Sequence, residues 1–157
     1  KTVSSDELID MFCDWKKKYP IISIEDPLGE DDTEGWQKIT KKMKDTILVG
    51  DDLFVTDARR ITVGKEEGIA NAALIKPNQR GTLSETVAAI NTAKKVGYKT
   101  IISHRSGDTP DDFIADLAVA LNADFIKAGA PARGERVAKY NRLLEIEKEI
   151  SSSAFKF

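Results

Sequence analysis

Two carboxylates, two amines and an imidazole occupy five equivalent places in this chain, each at the end of a short apolar run. Glu25 follows Ile21–Ile24, Asp51 follows Ile47–Gly50 and Lys76 follows Ala72–Ile75. His104 follows Thr100–Ser103, and Lys127 follows Asp124–Ile126. Carboxylates bind hard cations, an amine held out of water suits proton abstraction, and further cationic groups hold anions. The separations are 26, 25, 28 and 23 residues, which is one strand, one helix and two loops each time. In a fold of repeated βα units the strands are parallel, so their C-terminal ends share one face. In (β/α)8 barrels that face carries the active site.

The surroundings of each stop refine its chemistry. Ile24-Glu25-Asp26-Pro27 and Gly50-Asp51-Asp52-Leu53 each put a carboxylate at a strand end. Together Glu25 and Asp51 make an oxygen-donor site suited to Mg²⁺, which takes a few carboxylates plus substrate oxygens and water. Their neighbours Asp26 and Asp52 read as capping or supporting groups. Lys76 closes an apolar strand just before Pro77 and is the candidate base. Ser103-His104-Arg105-Ser106-Gly107 gathers an imidazole, a guanidinium and two hydroxyls beside a glycine. A phosphate calls for forked charged donors, short hydroxyls and close backbone approach. Lys127 is a second amine, suited to a carboxylate.

The elements that must position these groups are legible from capping and periodicity. Ser4 and Glu7 are spaced as a capping box for a helix over 4–18, with Leu8, Met11, Phe12 and Trp15 as its apolar face. A second helix is expected over Trp36–Met43, and a third from Asp57 to about Gly68. Thr82 and Glu85 start a fourth, with Leu83, Val87 and Ile90 inward. Asp111 or Asp112 caps one carrying Phe113, Ile114, Leu117 and Leu121. The last runs from about Arg133 to Ile150, and 151–157 reads as a flexible tail. The order is a leading helix and then five βα units over 1–150, with no linker or domain boundary. Strand cores of Ile, Val, Leu and Ala without alternation indicate burial on both faces.

Composition narrows the partners. A net charge of −2 gives no footing for nucleic acid or an anionic membrane, and no apolar run approaches a membrane span. The single Cys13 excludes an internal disulfide. The chain starts at Lys1 and its two methionines lie at 11 and 43, so a piece of a longer protein is expected. Closure of a barrel takes eight strands and five are present, which leaves edges open to pairing. The expected protein partner is therefore the missing N-terminal part or another copy of the chain. The competing architecture is an open doubly wound domain of the receiver kind, which leaves the Ser-His-Arg-Ser run unexplained.

The segments SIEDP, GDDLFVT, LIKPNQ, SHRSGDT with DDFIADLAVAL, and IKAGAPARGERVAKYNRLLEIE resemble, in order, the C-terminal part of the enolases. The resemblance covers roughly residues 5–150. It implies a partial TIM (β/α)8-type barrel and a Mg²⁺-dependent, cytoplasmic, glycolytic lyase acting on 2-phosphoglycerate and phosphoenolpyruvate. It matches Glu25 and Asp51 to two of three metal-binding carboxylates and Lys76 to the base. It matches His104, Arg105 and Ser106, with Ser103 beside them, to the phosphate and hydroxyl region, and Lys127 to the substrate carboxylate. The third metal carboxylate, the groups serving the leaving hydroxide and the N-terminal domain have no counterpart here. Arg80 stands where the family usually has a small apolar residue, and Ala128 where it often has Thr. These departures imply an isolated chain with little or no activity, or a non-catalytic, partner-binding fragment.

Overall fold

A computed structural model describes residues 2–154. Helices and strands alternate as the spacing requires, and the chain divides into two compact units, residues 1–100 and 101–157. The division falls inside a strand, where the sequence shows no linker.

The first unit holds α1 (Ser5–Lys18), β1 (Ser23–Glu25), α2 (Thr33–Lys42), β2 (Ile47–Gly50), α3 (Ala58–Glu67), β3 (Ala72–Ile75), α4 (Pro77–Arg80) and α5 (Leu83–Lys95). Its strands pair in parallel, β1 on β2 and β2 on β3, with Glu25 opposite Val49 and Gly50 opposite Ala73. Leu48, Val49 and all of β3 are buried, as strands covered on both faces should be. Ile9, Trp36, Ile39, Ile61 and Ile90 complete the core from the helices. The expected caps are present. Ser4 and Glu7 form the capping box, Asp57 accepts from the N–H groups of Arg59 and Arg60, and Gly68 ends α3 at φ +72°. The short helix α4 was not expected; Pro77 at its first position starts it where no N–H is needed.

β4 (Lys99–Ser103) crosses into the second unit, which also holds α6 (Phe113–Ala120), β5 (Phe125–Lys127) and α7 (Gly134–Ala154). There β4 and β5 pair in parallel, with Ile102 opposite Ile126 and Ser103 opposite Lys127. α7 continues through 151–154, where a tail was expected; residues 155–157 lie outside the described ones.

Two helices, α1 and α5, are rotated from their expected faces, and α6 also buries its small residues. α1 buries Ile9, while Trp15 is 42% exposed. α5 turns Thr86, Ala89, Ile90 and Ala93 inward and leaves Leu83 half exposed. α6 buries Ala115, Leu117 and Ala118 and exposes Phe113. In α5 and α6 small residues face inward, which lets a helix lie close, and larger ones move to the flank.

Candidate active site

Strand ends in the first unit bring an amine and a carboxylate together. Asp51, one residue past β2, is buried, and its Oδ2 accepts a hydrogen bond from Lys76 Nζ. Its other oxygen, Oδ1, is buried with no hydrogen-bond partner. A buried carboxylate oxygen without a donor is costly, and a cation is the ligand that satisfies it. Asp26 supports this loop by accepting from the N–H of Asp51 at 2.9 Å and of Asp52 at 3.0 Å. Burial holds the Asp26 carboxyl above the usual value against those two donors, and the charges of Asp51 and Asp52 add to the effect. Among the described residues, Asp26, Asp51 and Asp52 form a group with one oxygen from each within 4.8 Å of the others. Glu25 is exposed at the end of β1 and is not one of the three.

Thr56, which carried no role in the sequence reading, holds the backbone of Lys76. The hydroxyl of Thr56, fully buried, accepts from the Lys76 N–H at 2.9 Å and donates to Gln79 Oε1 at 2.6 Å. Val55 and Thr56 sit at φ +41° and +57°, a region that β-branched residues avoid. Nothing in the pattern Leu53-Phe54-Val55-Thr56 announces that turn; it reads as strand.

The second unit assembles cationic donors. The His104 N–H donates to the Lys127 carbonyl at 2.9 Å, and buried Ser103 donates to the His104 carbonyl at 2.9 Å. The two strand ends therefore adjoin. Arg105 and Ser106 follow on an exposed turn, with the Arg105 N–H on the Asp108 carboxylate. Behind them lies Lys139, an almost fully buried lysine that the sequence reading passed over. Its Nζ donates to the carbonyls of Thr109 and Glu135, each at 2.6 Å, and pairs with Asp108 at 3.3 Å. Burial raises the Asp108 carboxyl, but the Thr109 N–H, Lys139 and the Arg105 N–H outweigh it and hold it below the usual value. Tyr140 donates to the carbonyl of Gly129. Gly129 has φ +81°, and a Cβ there would lie 2.6 Å from Arg136 Cδ and 3.1 Å from His104 Cε1, so only glycine fits.

His104 Nδ1 is buried without a partner. Burial holds the imidazole below its ordinary value; Arg136, Lys127 and Lys139 push the same way and Asp108 opposes them. The neutral ring therefore belongs to the folded state. Its contribution to stability is full above the unfolded value of about 6.5 and is lost as pH falls through the lower folded value. His104 is the only histidine, so its ring protons report alone in a proton NMR titration of the chain. The expected midpoint lies below 6.5; a midpoint at or above 6.5 contradicts this environment.

The first unit thus places an amine on a buried carboxylate at its strand ends, and the second unit, taken by itself, places His104 and Lys127 at adjoining strand ends. A family model described as the enolase C-terminal TIM barrel domain matches residues 1–156. The chain belongs to the enolase family. It is 59% identical over 155 residues to the enolase of Elusimicrobium minutum, covering 98% of this chain and 37% of that protein. It is 60% identical over 151 residues to the enolase of Natranaerobius thermophilus, covering 96% and 35%. With the enolase of Sulfurimonas denitrificans the identity is 58% over 151 residues, covering 96% and 36%. The chain thus spans about a third of the length of these enolases. The fold is accordingly α/β, a part of a TIM barrel built from a leading helix and five βα units. No described helix is long and apolar enough to cross a membrane.

Proposed function

We propose that this chain is the C-terminal catalytic segment of a cytoplasmic enolase that interconverts 2-phospho-D-glycerate with phosphoenolpyruvate and water. The observation that carries the reading is the Lys76–Asp51 contact, an amine and a buried carboxylate whose second oxygen has no partner. As general base, Lys76 Nζ takes the proton from C2 of 2-phosphoglycerate. The C–H electrons move into the substrate carboxylate, and Lys127 meets that negative charge. Their return expels hydroxide from C3, which takes a proton from an acid outside this chain. Ser103, His104, Arg105 and Ser106 hold the phosphate and hydroxyl region. The donor set suits Mg²⁺: Asp51 would hold it through its unmet oxygen, with Glu25 as a second ligand and Asp26 supporting the loop. Bound there, Mg²⁺ supplies Lewis-acid stabilisation of the negative charge gathering on the substrate carboxylate.

The partner is the remainder of the enolase polypeptide. Support comes from the chain's share of its relatives' length, 35–37%, and from uncovered apolar side chains on and beside α1 and β1. Trp15, Tyr19 and Ile22 are 42%, 59% and 71% exposed. The test is an assay of phosphoenolpyruvate formation with Mg²⁺, on the chain alone and on the polypeptide that includes the preceding part. The expected result is activity only in the longer protein. A longer protein with no activity would leave the non-catalytic, partner-binding reading standing instead.

A further inference from the structure

Arg80 ends α4, four residues past Lys76, and makes two ion pairs within the first unit. Its NH1 lies 2.7 Å from Asp57 Oδ2, and its NH2 lies 2.9 Å from Glu85 Oε1. Asp57 divides its work. Oδ1 caps α3 through Arg59 N–H at 2.7 Å and Arg60 N–H at 3.0 Å, leaving Oδ2 for Arg80. Glu85 is itself tied to Thr82, at the start of α5. The guanidinium therefore joins the loop after β2 to the loop after β3.

Immediately before Asp57 come Val55 and Thr56, both β-branched and both at positive φ. Such a turn persists only when its surroundings hold it. Its backbone is closed by Val55 N–H on the Asp51 carbonyl and Asp57 N–H on the Phe54 carbonyl, each at 2.8 Å. One side-chain holder is the Thr56 hydroxyl between the Lys76 N–H and Gln79. The other is Arg80, which grips the next residue. These two holders are coupled, because Gln79 and Arg80 are consecutive on α4.

We infer that Arg80 is a positioning residue for Lys76: its clamp on Asp57 and Glu85 keeps the strained Val55–Thr56 turn closed and so sets the backbone from which the base projects. The inference rests on the reading of Lys76 as the base. Without the clamp the turn relaxes, the Thr56 hydroxyl leaves the Lys76 N–H, and Nζ drifts from its place. Asp51 keeps the support of Asp26, which accepts from its N–H at 2.9 Å, and the clamp makes no contact with the anion-holding groups of the second unit. The loss therefore falls on proton abstraction and not on substrate binding.

The experiment uses the complete enolase containing this chain. Arg80→Met keeps the length of the side chain and removes both ion pairs. Its kcat, and its rate of exchange of the C2 hydrogen of 2-phosphoglycerate with solvent deuterium, should both fall about tenfold, since misplacing a group by about 1 Å can cost about 100-fold. KM should stay within about twofold, the mark of an interaction lost in the transition state alone. Arg80→Lys keeps a charge that reaches one carboxylate and should recover most of the exchange rate; a simple packing role gives no such recovery. Asp57→Asn retains the cap, because Asn serves there as well as Asp, but removes the ionic partner. It should show the same kcat loss with KM unchanged, and it carries the test if Arg80→Met does not fold. Parent kcat in either neutralised variant, or a rise in KM equal to the fall in kcat, overturns the positioning role. Lys76→Ala run alongside separates the two ideas. Exchange surviving in Lys76→Ala sinks the base assignment. Exchange lost there but intact in Arg80→Met sinks the inference about Arg80 alone.

Discussion

Lys76→Ala in the complete enolase should lower kcat by about 1,000-fold, within the range that a positioned general base contributes. Lys76 is the amine that donates to the Asp51 carboxylate at the ends of β2 and β3. KM should change little. On the proposed roles, Glu25, Asp51, Arg105, Ser106 and Lys127 remain to hold the cation and the anionic ends of the substrate. A fall confined to kcat is what removal of a transition-state interaction produces. Hydrogen exchange at C2 measures the step itself, apart from departure of hydroxide. Exchange at the parent rate in Lys76→Ala would mean that the proton leaves by another route, and the roles assigned around β3 would have to be redrawn.

The second large effect is on the stability of one loop. Lys139→Met leaves the Asp108 carboxylate without its cation and removes the ammonium that donates to the Thr109 and Glu135 carbonyls. Removing one partner of a buried pair costs about 3 kcal/mol. One factor of ten is about 1.4 kcal/mol, so amides of residues 105–112 should exchange about 100-fold faster by hydrogen–deuterium exchange. Amides of β3 should keep their parent rates, since the lesion lies in the other unit. Unchanged protection of 105–112 would show that Lys139 does not anchor this loop.

These two lysines mark the limits of what the sequence made legible. Lys76 announces itself because an apolar run ends on it, and the same signal located all five strands to within two residues of their ends. Local caps such as Ser4, Asp57 and Thr82 are short-range chemistry and were readable for the same reason. Lys139 lies in a helix between Ala138 and Tyr140, where a lysine is ordinarily solvated. Only the tertiary neighbours Asp108 and Thr109, some thirty residues away, put it inside. The rotations of α1 and α5 were missed for a related reason. Periodicity finds an apolar stripe, but which edge of the stripe faces the strands depends on how closely the helix packs. The acidic rim was read in part. Asp51 is buried and short of a donor, while Asp26, taken as support, both supports the loop and joins the three-carboxylate group that Glu25 does not.

The turn at Val55 and Thr56 has a consequence for how this chain can be stabilised. Both residues hold a backbone shape that asparagine tolerates better, so either position looks like an opportunity for thermal hardening. Only Val55 is one. Its side chain makes no hydrogen bond, whereas the Thr56 hydroxyl is the sole link between the Lys76 N–H and Gln79 among the contacts described. A screen for heat resistance would accept a change at Val55 and reject one at Thr56, whose buried hydroxyl is bonded on both sides. Neighbouring positions with the same local discomfort thus stand under opposite selection, one free to change and one held by its hydrogen bonds.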